Sequence, residues 1–292
     1  QIGGSACYHR RIDLCPKGLL MASNSTLHVW PIPAFTDNYI WCIRDSQSAI
    51  LVDPGDAKPA IDYLQQEDLH LSGILITHYH ADHIGGLKDL LMWGHSRGFS
   101  FPIYGPAAED IPERTHALFE GDRVEFAKPA ISLGVLEVPG HTLGHIAYVA
   151  DTAHNPGESP KLFCGDTLFA SGCGRLFEGT PTQMSSSLAK FLSLPEDSLV
   201  YCTHEYTLSN IRFALAVEPQ NVNLQAWAKE AQQLRDRNQP TVPTNIAHEK
   251  RVNPFMRCDQ EPVLAAAENV IGKKLNTPAE VLAVVRAWKD RF

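Results

Sequence analysis

The sequence lacks any long hydrophobic run. No uncharged apolar stretch approaches the roughly 20 residues that a membrane-spanning helix needs, and the longest, such as residues 49–52 and 73–77, have the length of a strand. The chain also lacks an excess of basic residues, since 25 Lys and Arg stand against 33 Asp and Glu, for a net charge of -8. This balance argues against binding to a phosphate backbone. We therefore expect neither a membrane nor a nucleic acid as a partner.

Paired cysteines are absent as well. None of the seven cysteines belongs to a Cys-x-x-Cys motif, which argues against a zinc ribbon and against a thioredoxin-like redox site. Scattered cysteines in a chain of 292 residues are typical of small buried side chains in a reducing compartment. We therefore expect free, buried cysteines and a cytoplasmic protein.

Residues 1–26 differ from the rest of the chain. They contain no apolar core of signal-peptide length, the first residue is not Met, and Met21 is followed by a short polar stretch. We expect this segment to be an extension of unknown role, such as vector-derived sequence, upstream translated sequence or a short presequence. The folded part is expected to begin near Leu27.

The remaining chain has a globular composition, 44% hydrophobic and 20% charged, in which strand patterns precede helix patterns. Short β-rich runs with three helical patches (59–66, 86–94 and 184–192) occupy residues 27–204. Helical segments follow at 209–217, 222–238, 262–271 and 278–291, with a Pro-rich connector at 239–254. This order predicts an α+β fold with sheets covered by helices, and a domain boundary between residues 204 and 205.

A cluster of metal-ligating residues follows the apolar run at 73–77. His78, His80, Asp82 and His83 fall within six positions, and glycines come directly after them. In an extended segment His78 and His80 point to the same side, and a turn allows Asp82 and His83 to face a second point nearby. Imidazoles and carboxylates in this arrangement are what a pair of neighbouring metal ions requires.

Three further predicted strands also end in ligand-type residues, namely His141, Asp166 and His204. Convergence of such residues on one rim of a rigid scaffold predicts a metal site. His145 follows His141 by four residues and fits better behind the ligands than among them. Asp53 either orients a ligand imidazole or is an ordinary turn aspartate. The other histidines lack ligand spacing and are expected at the surface or as caps: His9, His28, His70, His95, His116, His154 and His248.

On these residues the chain resembles the metallo-β-lactamase superfamily, whose signature is His-x-His-x-Asp-His followed by glycines. It resembles more narrowly the glyoxalase II, or hydroxyacylglutathione hydrolase, family. The matching stretches are 36–39, 77–86, 140–145, 165–180, 204–207, 253–257 and 286–292. The stretches GCGRLFEGT and HEYT are the most specific to this family. The resemblance covers residues 27–292.

The resemblance implies an αββα sandwich at 27–204 that carries the catalytic site, and a helical glutathione-binding domain at 205–292. It also implies two metal sites. The first corresponds to His78, His80 and His141, the second to Asp82, His83 and His204, and the carboxylate between them to Asp166. Two Zn²⁺ ions per chain are expected, with iron or manganese as possible substitutes.

Five positions correspond to the family's substrate-binding residues. Arg286 and Lys289 lie three apart on one helix face and match the cations that hold the glycine carboxylate of glutathione. Arg175 and Tyr206 match two further contacts. Phe177 departs from members that have Tyr there, which removes one hydroxyl contact and predicts a lower affinity for glutathione.

The implied reaction is hydrolysis of S-(2-hydroxyacyl)glutathione, such as S-D-lactoylglutathione, to glutathione and D-lactate, in the detoxification of methylglyoxal. We expect a hydroxide that bridges the two metals to attack the thioester, with Asp82 and Asp166 as the catalytic carboxylates. A monomer is expected. The alternatives are a persulfide dioxygenase with one iron on the same fold, and a catalytically silent binding module. The full set of ligands argues against both.

Overall fold

The computed structural model of the protein describes residues 27–150 and 157–292. The predicted extension at 1–26 lies outside this range, as do Cys7, Cys15, His9 and His154. In the described part the cysteines are free and buried, as predicted: Cys42, Cys164, Cys173, Cys202 and Cys258. No helix within the described ranges is both long enough and apolar enough to cross a membrane.

Strands dominate the first part of the described chain and helices dominate the last part. The strands are β1 His28–Ala34, β2 Asn38–Arg44, β3 Ser48–Val52, β4 His70–Leu75, β5 Ile103–Pro106, β6 His116–Leu118, β7 Arg123–Ala127, β8 Ala130–Glu137, β9 Ile146–Ala150, β10 Lys161–Gly165, β11 Leu168–Phe169, β12 Gly172–Cys173, β13 Leu199–Cys202 and β14 Thr244–Asn245. The helices are α1 Ala57–Gln66, α2 Ala81–Ile84, α3 Leu87–Ser96, α4 Pro181–Leu192, α5 Thr207–Val217, α6 Val222–Asp236, α7 Ile246–Val252, α8 Glu261–Ile271 and α9 Pro278–Asp290, with a 3₁₀ turn at Pro254–Met256.

The strands form two six-stranded sheets and a small hairpin. The first sheet has the order β1-β2-β3-β4-β5-β6, the second has the order β14-β13-β10-β9-β8-β7, and β11 pairs with β12. In the first sheet, β3 to β6 pair in parallel, β2 pairs antiparallel with β3, and β1 pairs antiparallel with β2. Parallel strands need crossover helices, and α1 and α3 supply them on the outer face.

Successive side chains of a strand pack into two different cores, which explains why the sheets lie between helices. Trp41 and Ile43 of β2 belong to the core between the two sheets, whereas Ile40 and Cys42 belong to the core under α1 and α3. Because successive side chains of a strand face opposite ways, a strand that is apolar throughout is buried on both faces. Met184 of α4 packs against the core from the other side. The layers are therefore helix, sheet, sheet and helix, which confirms the predicted αββα architecture.

The C-terminal helices share the core of the sandwich. Phe213 of α5, Val263 of α8 and Val285 of α9 belong to the same apolar cluster as the strands between the sheets. A smaller cluster lies between α5, α6 and α7. The α9 helix begins where the sequence predicts it, because Thr277 caps it reciprocally with Glu280.

The prediction of a connector at 239–254 is wrong in part. It contains β14, which adds an edge strand to the second sheet, and the seven-residue helix α7. Asn245 starts α7 by accepting a hydrogen bond from the backbone N–H of His248. A helix of two turns is too short to show a clear apolar period. His248, expected at the surface, instead packs half-buried with its ring centroid 4.6 Å from that of Trp227.

Candidate metal centre

The predicted ligands lie in loops at one edge of the two sheets. His78 and His80 follow β4, His141 follows β8, Asp166 follows β10 and His204 follows β13. Asp82 and His83 belong to α2, whose first turn places them on the same cluster.

Close backbone approach fixes these loops. A Cβ atom on Gly55 would lie 1.8 Å from the carbonyl oxygen of Asp82, and one on Gly174 would lie 1.9 Å from that of Asp166. Both positions therefore require glycine if the loops are to keep their places.

The structure brings all seven predicted ligands together. Three groups have ligand atoms within 4.8 Å of one another: His78, His80 and His141; His78, His83 and Asp166; and Asp82, His83 and His204. In the first group, His80 Nδ1 lies 3.0 Å from both His78 Nε2 and His141 Nε2. Asp166 stands between the groups, because its Oδ2 lies 3.5 Å from His141 Nε2 and its Oδ1 lies 3.4 Å from His204 Nε2.

The cluster fits a divalent metal. His83 Nε2 and Asp166 Oδ1 are buried and make no hydrogen bond to another group in the described part of the chain. Buried polar atoms are costly unless they are paired, and a metal ion satisfies both an imidazole nitrogen and a carboxylate oxygen. The mixed imidazole and carboxylate set is compatible with zinc, iron and manganese.

Burial and charge divide the cluster into two halves. Burial lowers the pKa of His78, His80 and His141, so these imidazoles are neutral and ready to bind a metal. Burial opposes charge at His83 and His204 too, but Asp166 above all raises their pKa, to about 10 and about 11. The protons held there are those that a divalent cation displaces on binding.

The carboxylates respond in the opposite sense. Burial alone would raise the pKa of Asp82 and Asp166, yet the neighbouring imidazoles of His204 and His83 hold both carboxyls well below their usual range. Both are therefore anionic at neutral pH, as metal ligands must be.

Four of the five ligand imidazoles are oriented by a contact on the other nitrogen: His78, His83, His141 and His204. Thr77 Oγ1 lies 3.1 Å from His78 Nδ1, and the carbonyl oxygen of Arg175 lies 2.9 Å from His141 Nδ1. Asp53 Oδ2 lies 3.0 Å from His83 Nδ1, so the structure favours the orienting role among the two left open for Asp53. Asp37 Oδ1 lies 2.9 Å from His204 Nδ1. Such contacts fix the ring and raise its basicity.

His145 lies behind the ligands, as the sequence analysis placed it. Its ring is fully buried and stacks on that of His78 at a centroid distance of 4.5 Å. Its Nε2 accepts a hydrogen bond of 3.1 Å from the backbone N–H of Asp166. It belongs to none of the three ligand groups.

A cavity of about 700 Å³ leads away from the cluster. His141 and Asp166 form its inner end, and all five predicted substrate-binding residues line it: Arg175, Phe177, Tyr206, Arg286 and Lys289. Three residues that no sequence signal marks also line the cavity: Asn210, Arg212 and Asp290. Their sequence context is that of an ordinary helix, and only the packing of α5 against α9 brings them to the cavity.

The two cations on α9 are held in different ways. Arg286 is 4% exposed and donates to the carbonyl oxygen of Cys173 at 2.9 Å and to Asp290 Oδ1 at 3.1 Å. The ammonium group of Lys289 donates to Asn210 Oδ1. Burial, and then the charge of Arg286, lowers the pKa of Lys289 to about 8.

Two aromatic rings flank the cluster where the cavity meets it. Tyr206 stacks on His204 with ring centroids 4.6 Å apart, and burial raises the pKa of its hydroxyl, which is therefore protonated at neutral pH. Phe177 is 62% exposed, and its centroid lies 5.2 Å from that of His141. The Phe177 ring presents no polar group where it borders the ligands.

Comparison with known families gives two matches. Residues 35–204 match the metallo-beta-lactamase superfamily, and residues 205–292 match the C-terminus of hydroxyacylglutathione hydrolase. The two matches meet between residues 204 and 205.

Individual relatives agree with these matches. A hydroxyacylglutathione hydrolase of Cupriavidus taiwanensis is 55% identical over 91% of this chain and 99% of its own length. One of Pseudomonas aeruginosa PAO1 is 51% identical over 89% of this chain and 98% of its own. Among solved structures, a metallo-beta-lactamase from Staphylococcus aureus has a TM-score of 0.59 at 19% identity, covering 90% of this chain and 72% of that one. This last likeness concerns the fold alone.

Proposed function

Because the chain belongs to the hydroxyacylglutathione hydrolase family of the metallo-β-lactamase superfamily, we propose that it hydrolyses the thioester of S-(2-hydroxyacyl)glutathione, such as S-D-lactoylglutathione. The products are glutathione and D-lactate, as expected for the detoxification of methylglyoxal. One observation carries the proposal: a cavity joins His141 and Asp166, two of the seven clustered ligands, to the cations of α9. A thioester of an anionic peptide needs the ligand cluster for its reacting carbonyl and the cations for its carboxylate.

We propose that the cluster holds two metal ions, zinc in the first place and iron or manganese as substitutes. His78, His80 and His141 would hold one ion, Asp82, His83 and His204 would hold the other, and Asp166 would serve both, since these side chains lie together in groups that can hold a metal. Metal ions bound there supply Lewis acidity, which activates water at neutral pH and polarises the thioester carbonyl. The donor set, and the buried atoms of His83 and Asp166 that make no hydrogen bond, support this assignment.

The residues of the cavity position the substrate. Arg286 and Lys289 bind the glycine carboxylate of glutathione, and Arg175 and Tyr206 contact the peptide between that carboxylate and the thioester. Holding the thioester against the ligand cluster replaces a bimolecular encounter by a reaction within one complex. The side chain of Asp82 is 40% exposed and accepts a hydrogen bond from Asn38, so its carboxylate is placed to orient the attacking water.

The leaving group needs no proton from the protein. A free thiol has a pKa of about 8.5, so glutathione departs readily as a thiolate near neutral pH. The burden of catalysis therefore falls on activating the water and placing the carbonyl. Asp82 and Asp166 are the carboxylates proposed to act on the water.

We propose that the protein works in the cytoplasm as a monomer on a small-molecule substrate, without a nucleic acid or a membrane as partner. Five buried free cysteines support a reducing compartment. Every residue of the proposed site belongs to one chain, so no second subunit is needed to complete it.

The experiment is hydrolysis of S-D-lactoylglutathione by wild-type protein and by His80→Ala and Asp166→Ala, with metal content measured on each sample. We expect both variants to lose activity together with metal, and His80→Ala to keep only the ion of the second set. Lys88→Ala, on the exposed face of α3, is the matched control and keeps both. Turnover of glutathione persulfide by a protein with one iron would favour the dioxygenase instead.

A further inference from the structure

The turn between β1 and β2 reaches from the first sheet to the end of a strand in the second. Asn38, the first residue of β2, forms a β-bridge with His204, which directly follows β13. The backbone N–H of Glu205 donates to the carbonyl oxygen of Asp37 at 2.8 Å, and that of Tyr39 donates to Thr203 at 2.7 Å. The turn is therefore fixed against the loop that carries His204.

Both side chains of this turn contact proposed ligands of the second metal. Asp37 Oδ1 accepts from His204 Nδ1 at 2.9 Å, and Asn38 Nδ2 donates to Asp82 Oδ2 at 3.0 Å. Two of the three ligands that belong to the second metal alone are thus held by consecutive residues. The same oxygen of Asp82 also faces the opposite nitrogen of His204, with His204 Nε2 3.3 Å from Asp82 Oδ2.

The ligands of the first metal are held by other parts of the chain. His78 has the hydroxyl of Thr77 on its outer nitrogen, and His141 has the backbone carbonyl of Arg175. Both of these partners are uncharged. The imidazoles of the second set face carboxylates instead, Asp37 at His204 and Asp53 at His83. A carboxylate on the outer nitrogen orients the ring and makes it a stronger ligand.

We propose that Asp37 and Asn38 are positioning residues for the second metal alone, so that this turn sets its affinity independently of the first. The inference depends on the proposed pair of metals. It assigns a role to two residues that touch neither substrate nor reacting atoms. Loss of either contact weakens one of two binding constants and leaves the other unchanged.

The experiment is a zinc titration in chelator-buffered solution, with zinc per chain measured by mass spectrometry, for wild-type protein, Asp37→Ala, Asp37→Asn and Asn38→Ala. Loss of an outer partner typically costs about 10–100-fold in metal affinity. In Asp37→Ala we expect that loss in one of the two zinc binding constants. In Asp37→Asn, which keeps an acceptor without the charge, we expect a smaller loss in the same constant. The other zinc binding constant should keep its wild-type value in both variants.

Two further variants identify the site and control for folding. In His80→Ala, which lacks a ligand of the first set, the constant that remains is the one that Asp37→Ala weakens. Asp45→Asn is the matched control, because Asp45 accepts backbone hydrogen bonds of 2.7 Å in the next turn of the same sheet, away from the ligands. It should keep both zinc ions whatever its stability.

The outcomes separate the inference from the proposed function. Wild-type protein that binds fewer than two zinc ions contradicts the metal pair itself. If wild-type protein binds two, and Asp37→Ala and Asn38→Ala weaken both constants equally or neither of them, the positioning role is wrong. Should Asp37→Ala not fold, Asp37→Asn and Asn38→Ala decide the question.

Discussion

Substrate affinity should fall at alkaline pH because of Lys289. Burial and the neighbouring guanidinium of Arg286 lower its pKa to about 8. An ammonium with a lowered pKa loses its charge at a lower pH than a free lysine does. Its charged fraction falls from roughly nine tenths at pH 7 to about one tenth at pH 9. If the glycine carboxylate binds the charged form, the Kd should rise about tenfold over this interval.

The assay is calorimetric titration with S-methylglutathione, which has no thioester and therefore isolates binding from the reaction. Lys289→Arg is the matched variant, because a guanidinium stays charged throughout this range. The ratio of the two Kd values removes any titration of the ligand or of the metal centre. We expect the ratio of wild type to Lys289→Arg to rise about tenfold between pH 7 and pH 9.

Lys289→Met completes the test. This variant should bind S-methylglutathione more weakly than wild type already at pH 7. The loss of binding free energy should be about 1.5–3 kcal/mol, which is what a hydrogen bond to a charged group contributes. Its metal content should equal that of wild type. A ratio that stays flat from pH 7 to pH 9, or a Lys289→Met variant with wild-type affinity, would refute the assignment of Lys289 to the substrate carboxylate.

Two other predictions follow from single side chains. Burial raises the pKa of Glu249 from 4.5 to about 7, so its contribution to the folded state is present below pH 4.5 and is lost as the pH rises through about 7. The free energy of unfolding of Glu249→Gln, relative to wild type in urea titrations, should therefore increase by about 2–3 kcal/mol from pH 5 to pH 8. A difference that does not change with pH would contradict this. Phe177→Tyr adds a hydroxyl to the cavity wall beside His141. One added hydrogen bond should lower KM for S-D-lactoylglutathione by about 2–10-fold with kcat little changed. An unchanged KM would show that no donor or acceptor of the substrate lies there.

The metal centre could be predicted because its residues are marked by the strands before them. A ligand-type side chain directly after an apolar run predicts a position at the end of a strand, and several such positions predict one rim. His141, Asp166 and His204 are marked in this way, and the structure brings them to the ligands at 78–83. Ligand identity and strand position are both local properties of a sequence.

Asp37 could not be found in this way. It lies 167 residues from His204 in the chain, and its contact depends on how the β1–β2 turn crosses to the second sheet. Nothing local distinguishes it from the aspartate of an ordinary hairpin turn. Asn210 is a similar case, because its contact with Lys289 depends on how α5 packs against α9.

Composition predicts the longer C-terminal helices, but it predicts the segment that connects them less well. The capped start of α9 is visible in the sequence, since Thr277, Pro278 and Glu280 are a cap, a first residue and a reciprocal partner. The seven-residue helix α7 is too short to show a helical period. The two-residue strand β14 is defined only by its pairing with β13 in the second sheet. Elements that depend on distant pairing are the ones that the sequence pattern does not indicate.

The most direct measurement of the central claim is turnover of S-D-lactoylglutathione by purified protein, with metal per chain determined on the same sample. We predict thioester hydrolysis by protein that holds close to two metal ions per chain. Protein that holds two metal ions and does not hydrolyse this thioester would contradict the proposed substrate. Protein with a single iron and no thioesterase activity would contradict the binuclear hydrolase as a whole.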